Sequence, residues 1–279
     1  MEVLGAQGTK KVTSPLRYPG GKSKALSKIL PFIALDFSEY REPFVGGGSV
    51  FIRLKELRPN AKYKINDLNY DLYCFWKSVK ENVDDLVHEV TWVKNNCKDG
   101  KRLYEKLASS NHDLDEFSRA VRFYVLNRIA YSGTVDSGGY SAAAFEKRFT
   151  FSNVKKLGPL SSLLQDVEIT NKSYEPLLSQ TGKSVLIFMD PPYWKSKKIA
   201  LYGRNGCLNK SFNHKEFAEN VRKCEHKWLI TYDDSDWIRS LFKFAYKIYP
   251  WELQYGMNNV HGNKAAKGKE LFISNYAPI

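Results

Sequence analysis

Asp190-Pro191-Pro192-Tyr193 gathers one carboxylate, two carbonyls whose flanking prolines donate no N–H, and one aromatic face. That set suits a planar base carrying an exocyclic amino group. Asp190 and the Pro191 carbonyl each accept one amino hydrogen, and Tyr193 stacks on the ring. A proline-rich turn with an incidental aspartate is the competing reading, because turns draw on the same residue types. The residues just upstream bear on the choice. Ser184-Val185-Leu186-Ile187-Phe188-Met189 is an apolar run, rich in branched side chains and ending at prolines, the pattern of a buried parallel strand. The tetrapeptide then stands at the carboxyl end of that strand, where open α/β sheets bind ligands.

Three other stretches could position such a site. Glu42-Pro43-Phe44-Val45-Gly46-Gly47-Gly48-Ser49-Val50-Phe51 passes from strand-like through glycine-rich to helix-like sequence. Its glycines permit a tight turn and a close backbone approach to a ligand. Phe51 stands where the dinucleotide fingerprint needs its last glycine, so this is a different loop. Lys64-Ile65-Asn66-Asp67-Leu68-Asn69-Tyr70-Asp71-Leu72 ends a short strand pattern at Asp67, roughly 20 residues past the glycines, an offset suited to ribose hydroxyls. Asp67 is also placed to be the N-cap of a helix over 68–79, and the two roles are compatible. Pro15-Leu16-Arg17-Tyr18-Pro19-Gly20-Gly21-Lys22 precedes a helical stretch over 23–30. Leu16 falls where a phosphate loop requires its first glycine, which excludes a nucleoside triphosphatase of that kind. A turn carrying Tyr18 and Lys22 could instead hold a cofactor carboxylate and stack on its adenine.

Taken together, Arg17-Tyr18-Pro19-Gly20-Gly21-Lys22, Glu42-Pro43-Phe44-Val45-Gly46-Gly47-Gly48, Asn66-Asp67-Leu68-Asn69 and Asp190-Pro191-Pro192-Tyr193 resemble the Dam-like, D12-class DNA adenine N6-methyltransferases in their α-type motif order. Leu126-Asn127-Arg128, Tyr131-Ser132-Gly133 and Lys269-Glu270-Leu271 add to the likeness, which spans most of the chain. The resemblance implies S-adenosyl-L-methionine as cofactor, bound by Tyr18, Lys22, Phe44, Gly46, Gly48, Asp67 and Asp190, with Ser173 and Tyr174 lining its adenine side. It implies Asp190, Pro191, Pro192 and Tyr193 as the catalytic set. The adenine N6 lone pair is delocalised into the ring. A site accepting both amino hydrogens draws the nitrogen toward tetrahedral geometry, so catalysis is mainly positioning and electrostatics. The base must be flipped from the duplex, and Tyr193 would stack on it.

Recognition of double-stranded DNA would fall to a helical insert. Arg128, Tyr131, Ser132, Thr134 and Asp136 lie at its helix-to-loop transition. Family members that read GATC carry a base-reading arginine shortly after this turn. Here Asp136 can accept from cytosine but cannot donate to guanine, so another target is expected. Lys195, Lys197 and Lys198, with Arg204 and Lys210, follow the catalytic tetrapeptide. They read as a phosphate-gripping loop or as a solvated charged one. Lys264, Lys267 and Lys269 pose the same choice. Two other readings keep the fold: a structured-RNA adenine methyltransferase, and a catalytically silent DNA-binding regulator. Intact Asp190, Tyr193, Lys22 and Asp67 argue against the second, and the helical insert argues for DNA.

Composition agrees with a polyanionic partner: 43 basic against 30 acidic residues give +13 over 279 residues. The polar N-terminus is no signal peptide and no run is long enough to span a membrane, so the expected location is the cytoplasm, at the nucleoid. Cys74, Cys97, Cys207 and Cys224 lack metal spacing and read as reduced thiols, and no metal site is expected. His214 and His261 read as surface or loop residues. A monomer or weak dimer, with a cognate restriction endonuclease as partner, completes the expectation. Residues 12–76 and 166–279 should form a Rossmann-like α/β methyltransferase domain, interrupted by a helical recognition insert over 77–165. Within the insert, Asp113 and Glu116 suggest a capping box. Phe117, Val121, Tyr124, Val125 and Ile129 then recur at helical spacing, ending near Ser132-Gly133. Strands are expected at 167–170, 185–189, 228–232, 246–251 and 270–276, the last in a hairpin with the segment near Gln254.

Overall fold

The apolar residues of β4 (Val185–Met189) are all buried, and they divide by parity. Leu186 and Phe188 join a core on one face of the sheet, while Val185, Ile187 and Met189 join a second core on the other. A strand covered on both faces belongs at the centre of a parallel sheet. The computed structural model, which describes residues 11–110, 113–135, 138–194, 211–254 and 267–277, places it there. The other strands are β1 (Glu39–Glu42), β2 (Lys62–Asn66), β3 (Val167–Thr170), β5 (Lys227–Asp233), β6 (Lys247–Gln254) and β7 (Lys267–Ser274). Their order is β3-β2-β1-β4-β5-β7-β6. The first five are parallel, and β7 runs antiparallel between β5 and β6. This is the expected Rossmann-like α/β sheet. Its strand order reverses between β1 and β4, the point at which such sheets bind ligands.

β1 has the sequence Glu-Tyr-Arg-Glu yet is wholly buried. Its polar groups are matched internally. Arg41 donates to Glu39 at 2.7 Å and to the carbonyls of Leu177, Gln180 and Thr181, and the Tyr40 hydroxyl donates to Glu42. A buried charge is tolerable only when paired in this way.

The helices follow as α1 (Leu26–Ile29), α2 (Ser49–Leu57), α3 (Tyr70–Glu81), α4 (Val83–Asn96), α5 (Gly100–Ser109), α6 (Glu116–Ile129), α7 (Ala142–Arg148), α8 (Phe151–Val154), α9 (Leu157–Leu164), α10 (Glu175–Ser179), α11 (His214–Arg222) and α12 (Asp236–Leu241). α4 to α9 lie between α3 and β3 in sequence and share the first core with the sheet. The join is tight. Asp71 on α3 receives Arg119 at 2.9 Å and Arg122 at 3.0 Å from α6, and Phe75 stacks on Tyr124 at 5.7 Å. The expected division at residues 76 and 77 falls inside α3.

Two helix starts differ from expectation. α3 begins at Tyr70, capped by Asn69, whose side chain accepts from the Leu72 N–H. α6 is capped by Asp115, accepting from Ser118 at 2.8 Å, so Glu116 sits in the first turn and Asp113 outside it. His214 is a third correction. It is 2% exposed, bonded to the Tyr232 hydroxyl and edge-on to Trp194 and Trp237, because α11 turns it into the second core. Among the described residues no helix is long and apolar enough to cross a membrane.

Candidate active site

β1 and β4 are neighbours, so their carboxyl ends deliver Glu42 and Asp190 to one crevice. The segment Pro43–Gly48 turns away from β1 above it. Asn66, 1% exposed at the end of β2, fixes this turn by donating to the Pro43 carbonyl at 3.0 Å. Gly46 and Gly48 have positive φ, +48° and +66°. A Cβ on Gly46 would lie 2.8 Å from the Tyr18 ring, and one on Gly48 would lie 2.7 Å from Trp76. Glycine is required here because two neighbours close on the backbone. Trp76 also donates its indole N–H to the Gly46 carbonyl at 3.1 Å.

Asp67 joins this loop. One carboxylate oxygen accepts the Gly46 N–H at 3.0 Å and the other accepts the Asn69 N–H at 3.0 Å. Asp67 therefore lies two residues before the cap of α3, facing the glycine loop. Burial raises its pKa to about 6, against the lowering effect of the two N–H donors. Glu42 lies well above the ordinary carboxylate range, chiefly through burial, with Asp190 and Asp67 adding like-charge repulsion.

Both oxygens of Asp190 are held. Thr231, fully buried on β5, donates its hydroxyl to Oδ1 at 2.6 Å. Lys22, 4% exposed, donates to Oδ2 at 2.7 Å and to the Gly20 carbonyl at 2.9 Å. The same ammonium stands 5.0 Å from the centre of the Tyr193 ring. That ring stacks on Tyr232 at 5.8 Å, and its hydroxyl donates to Glu270 on β7 at 2.9 Å. Pro191 is buried and Pro192 half-buried. The Trp194 N–H donates to Asp233 at 2.8 Å, and its indole packs on Trp237 of α12 at 4.2 Å.

Of the residues singled out from sequence, Lys22, Asp190 and Tyr193 therefore meet directly, and Tyr18, Gly46 and Asp67 meet across the adjoining loop. Phe44 packs on Tyr174 at 5.6 Å, in a cluster with Phe212 and Phe217. Ser173 is exposed beside Lys172, whose N–H is held by Asn66. Asp136, Lys195, Lys197 and Lys198 lie outside the described residues, as do His261 and Cys207.

The turn after α6 divides. Tyr131 is 56% exposed, and Ser132 takes a left-handed φ of 53°. Thr134 is buried, its hydroxyl donating to the Tyr131 carbonyl at 2.8 Å. Arg128 corrects an expectation: it is 4% exposed and points inward. Its guanidinium donates to the carbonyls of Pro15 at 2.7 Å and Arg148 at 3.0 Å, and burial lowers its pKa to about 10. It fastens the N-terminal loop to the insert, a geometry that leaves no reach to a base edge.

Sequence reading passed over Thr231 and Asp233, and named Asn127 only as part of the motif Leu126-Asn127-Arg128, with no role of its own. The first two stand at the carboxyl end of β5, a position that could have drawn attention to them. Asn127 is fully buried; it accepts from the Arg17 N–H at 2.9 Å and donates to the carbonyls of Arg17 and Gly133, each at 2.9 Å.

Comparison with known proteins bears on this arrangement. A family model described as D12 class N6 adenine-specific DNA methyltransferase matches residues 18–257. The chain is 30% identical over 208 residues to the type II methyltransferase M.MjaIII of Methanocaldococcus jannaschii, covering 67% of this chain and 71% of that protein. It is 22% identical to the type II methyltransferase M.CviBI of Paramecium bursaria Chlorella virus NC1A, over 94% of this chain and 98% of the relative. With the DNA adenine methylase of Salmonella typhi it shares 27% identity, over 85% and 86% of the two chains.

Proposed function

Since the chain belongs to the D12 class of N6 adenine-specific DNA methyltransferases, we propose that the crevice beyond β1 and β4 takes S-adenosyl-L-methionine beside a flipped adenine of double-stranded DNA. The observation carrying this reading is the Asp190 carboxylate. It stands at the central strand end, fixed through both oxygens, with an aromatic face next to it.

The lining fits the cofactor. The glycine loop carries no side chain at 46 or 48 and packs closely against Tyr18 and Trp76, and Asp67 and Asp190 supply carboxylates toward a cationic ligand. Tyr18 and Lys22 border it, Phe44 closes one side, and Ser173 and Tyr174 stand toward the adenine end. Bound there, the cofactor would supply an electrophilic methyl group on a sulfonium. The remaining chemistry belongs to this chain. Asp190 and the Pro191 carbonyl accept the two N6 hydrogens and orient the nitrogen lone pair. Lys22 and Thr231 keep the carboxylate aimed, with one donor on each oxygen. As positive charge develops on N6, a fixed carboxylate stabilises it without reorganisation.

Residues 77–165 are read as the recognition insert, with Tyr131, Ser132 and Asp136 facing DNA, and Lys195, Lys197 and Lys198 as phosphate contacts. The relatives named type II methyltransferases support a cognate restriction endonuclease as partner. The enzyme is taken to act in the cytoplasm at the nucleoid, as a monomer or weak dimer. Radiolabel transfer from S-adenosyl-L-methionine to duplex DNA, with structured RNA as control, tests the reading. Label in DNA only is expected, and label confined to RNA would overturn it. Methylation-sensitive sequencing of DNA from an expressing host should then reveal a target other than GATC.

A further inference from the structure

Asp233 and Glu270 are directly opposed across the β5–β7 ladder, and both are buried, at 5% and 0% exposure. Opposed like charges in a sheet are destabilising, and buried carboxylates need donors. Both turn to the same short loop for them. Asp233 takes the Trp194 N–H at 2.8 Å, and Glu270 takes the Tyr193 hydroxyl at 2.9 Å. Tyr232, between Thr231 and Asp233 on β5, stacks against the Tyr193 ring. The ring is thus fixed by its face and by its hydroxyl, at the far end from the backbone. An aromatic ring anchored only at its backbone would keep the freedom to rotate about its side-chain bonds.

We infer that Glu270 is a positioning residue for methyl transfer: through the Tyr193 hydroxyl it holds the ring in the orientation that receives the flipped adenine. The terminal β6–β7 hairpin is in this sense part of the catalytic apparatus. The inference rests on the reading that Tyr193 stacks on the base. Orientation set in advance lowers the ordering cost of binding. The extruded base meets the ring only after DNA is bound, so the effect belongs to kcat rather than to KM for DNA.

The test follows methyl transfer to unmethylated plasmid DNA, with kcat expressed per cofactor-binding site counted by calorimetry. Variants are Glu270→Leu, Glu270→Gln, Tyr193→Phe, Tyr193→Ala and the double variant Tyr193→Phe with Glu270→Leu. Glu270→Leu and Tyr193→Phe should each lower kcat about tenfold, the scale of one lost hydrogen bond, with KM for DNA nearly unchanged. Glu270→Gln keeps an accepting oxygen and should stay within about threefold of wild type. In the Tyr193→Phe background, Glu270→Leu should add less than about twofold, because the group it acts through is gone. A further tenfold loss there, or a wild-type rate for Glu270→Leu alone, overturns the inference. A wild-type rate for Tyr193→Ala instead removes the stacking reading itself. A large loss in Tyr193→Ala with an unaffected Glu270→Leu removes only the role given to Glu270.

Discussion

The loop after β4 and the turn after α6 both leave the ends of buried elements, yet they are held in opposite ways. Asp190, Tyr193 and Trp194 each have a hydrogen-bond partner on β5 or β7, and Asp190 has a second at the Lys22 turn. Tyr131 and Ser132 are held from behind. Asn127 and Arg128 grip carbonyls beneath the turn, while the Tyr131 side chain stands in solvent. Chemistry needs groups fixed within a fraction of an ångström, and a reading surface needs side chains free to meet a partner. One turn combines a rigid base with an open face, and the two loops share an anchor, since the Arg17 peptide held by Asn127 leads directly into Tyr18 and Lys22.

The contrast can be broken most severely at the catalytic loop. Asp190→Ala should lower methyl transfer about a thousandfold or more while circular dichroism reports an intact fold, since the acceptor aimed at N6 is lost. Near-normal turnover in the folded variant would remove the mechanism. Asn127→Ala attacks the shared anchor. It strips buried partners from the Arg17 N–H and from two carbonyls, so thermal or denaturant unfolding should show a loss of about 2–4 kcal/mol, with weakened cofactor binding. Tyr131→Ala, by contrast, should change stability by less than about 0.5 kcal/mol and weaken DNA binding. Similar stability losses in the two would erase the distinction between base and face.

Two smaller effects sharpen it. Thr231→Val should lower kcat about tenfold by freeing one oxygen of Asp190, and Thr231→Ser should recover most of that loss. If serine fares no better than valine, the hydroxyl is irrelevant. Asp67 predicts a pH dependence. Its pKa of about 6 lies above the unfolded value of 3.8, so the folded protein retains a proton through that window, and the stability contributed by the protonated group is lost as pH rises across it. The ionised carboxylate is the better acceptor for ribose hydroxyls. Calorimetric affinity for S-adenosyl-L-methionine should therefore rise about three- to tenfold from pH about 5 to about 7, with proton release, and Asp67→Asn should flatten the rise.

Most of the sheet was legible because apolar runs such as Val185–Met189 need both faces covered, and Lys247–Gln254 and Lys267–Ser274 pair as the hairpin pattern implied. β1 was harder to read. Its buried Glu39, Arg41 and Glu42 look like surface residues until the carbonyls of 177–181 are brought beside them by the fold. The glycine loop, Lys22, Asp67 and Asp190 were legible because their residue types limit what they can do. Thr231 and Glu270 were assigned no role, because a threonine in an apolar strand and a glutamate in a hairpin reach Asp190 and Tyr193 only through the register of β5 and β7. Arg128 was misread for the complementary reason: a basic residue in a basic protein suggests DNA, and only its burial against Pro15 shows otherwise.

β7 lies inside the sheet, between β5 and β6, although it follows both in the chain. During synthesis the Lys22 turn, the glycine loop and the catalytic tetrapeptide all leave the ribosome before Glu270 does. β5 has no antiparallel neighbour, and Tyr193 no hydroxyl anchor on β7, until residue 274 has cleared the exit tunnel. A nascent chain of this protein therefore carries its reactive residues for many seconds without the strand that sets them, at ordinary translation speeds of about 5–20 residues per second. Strand order alone makes the anchor of Tyr193 later than Tyr193 itself.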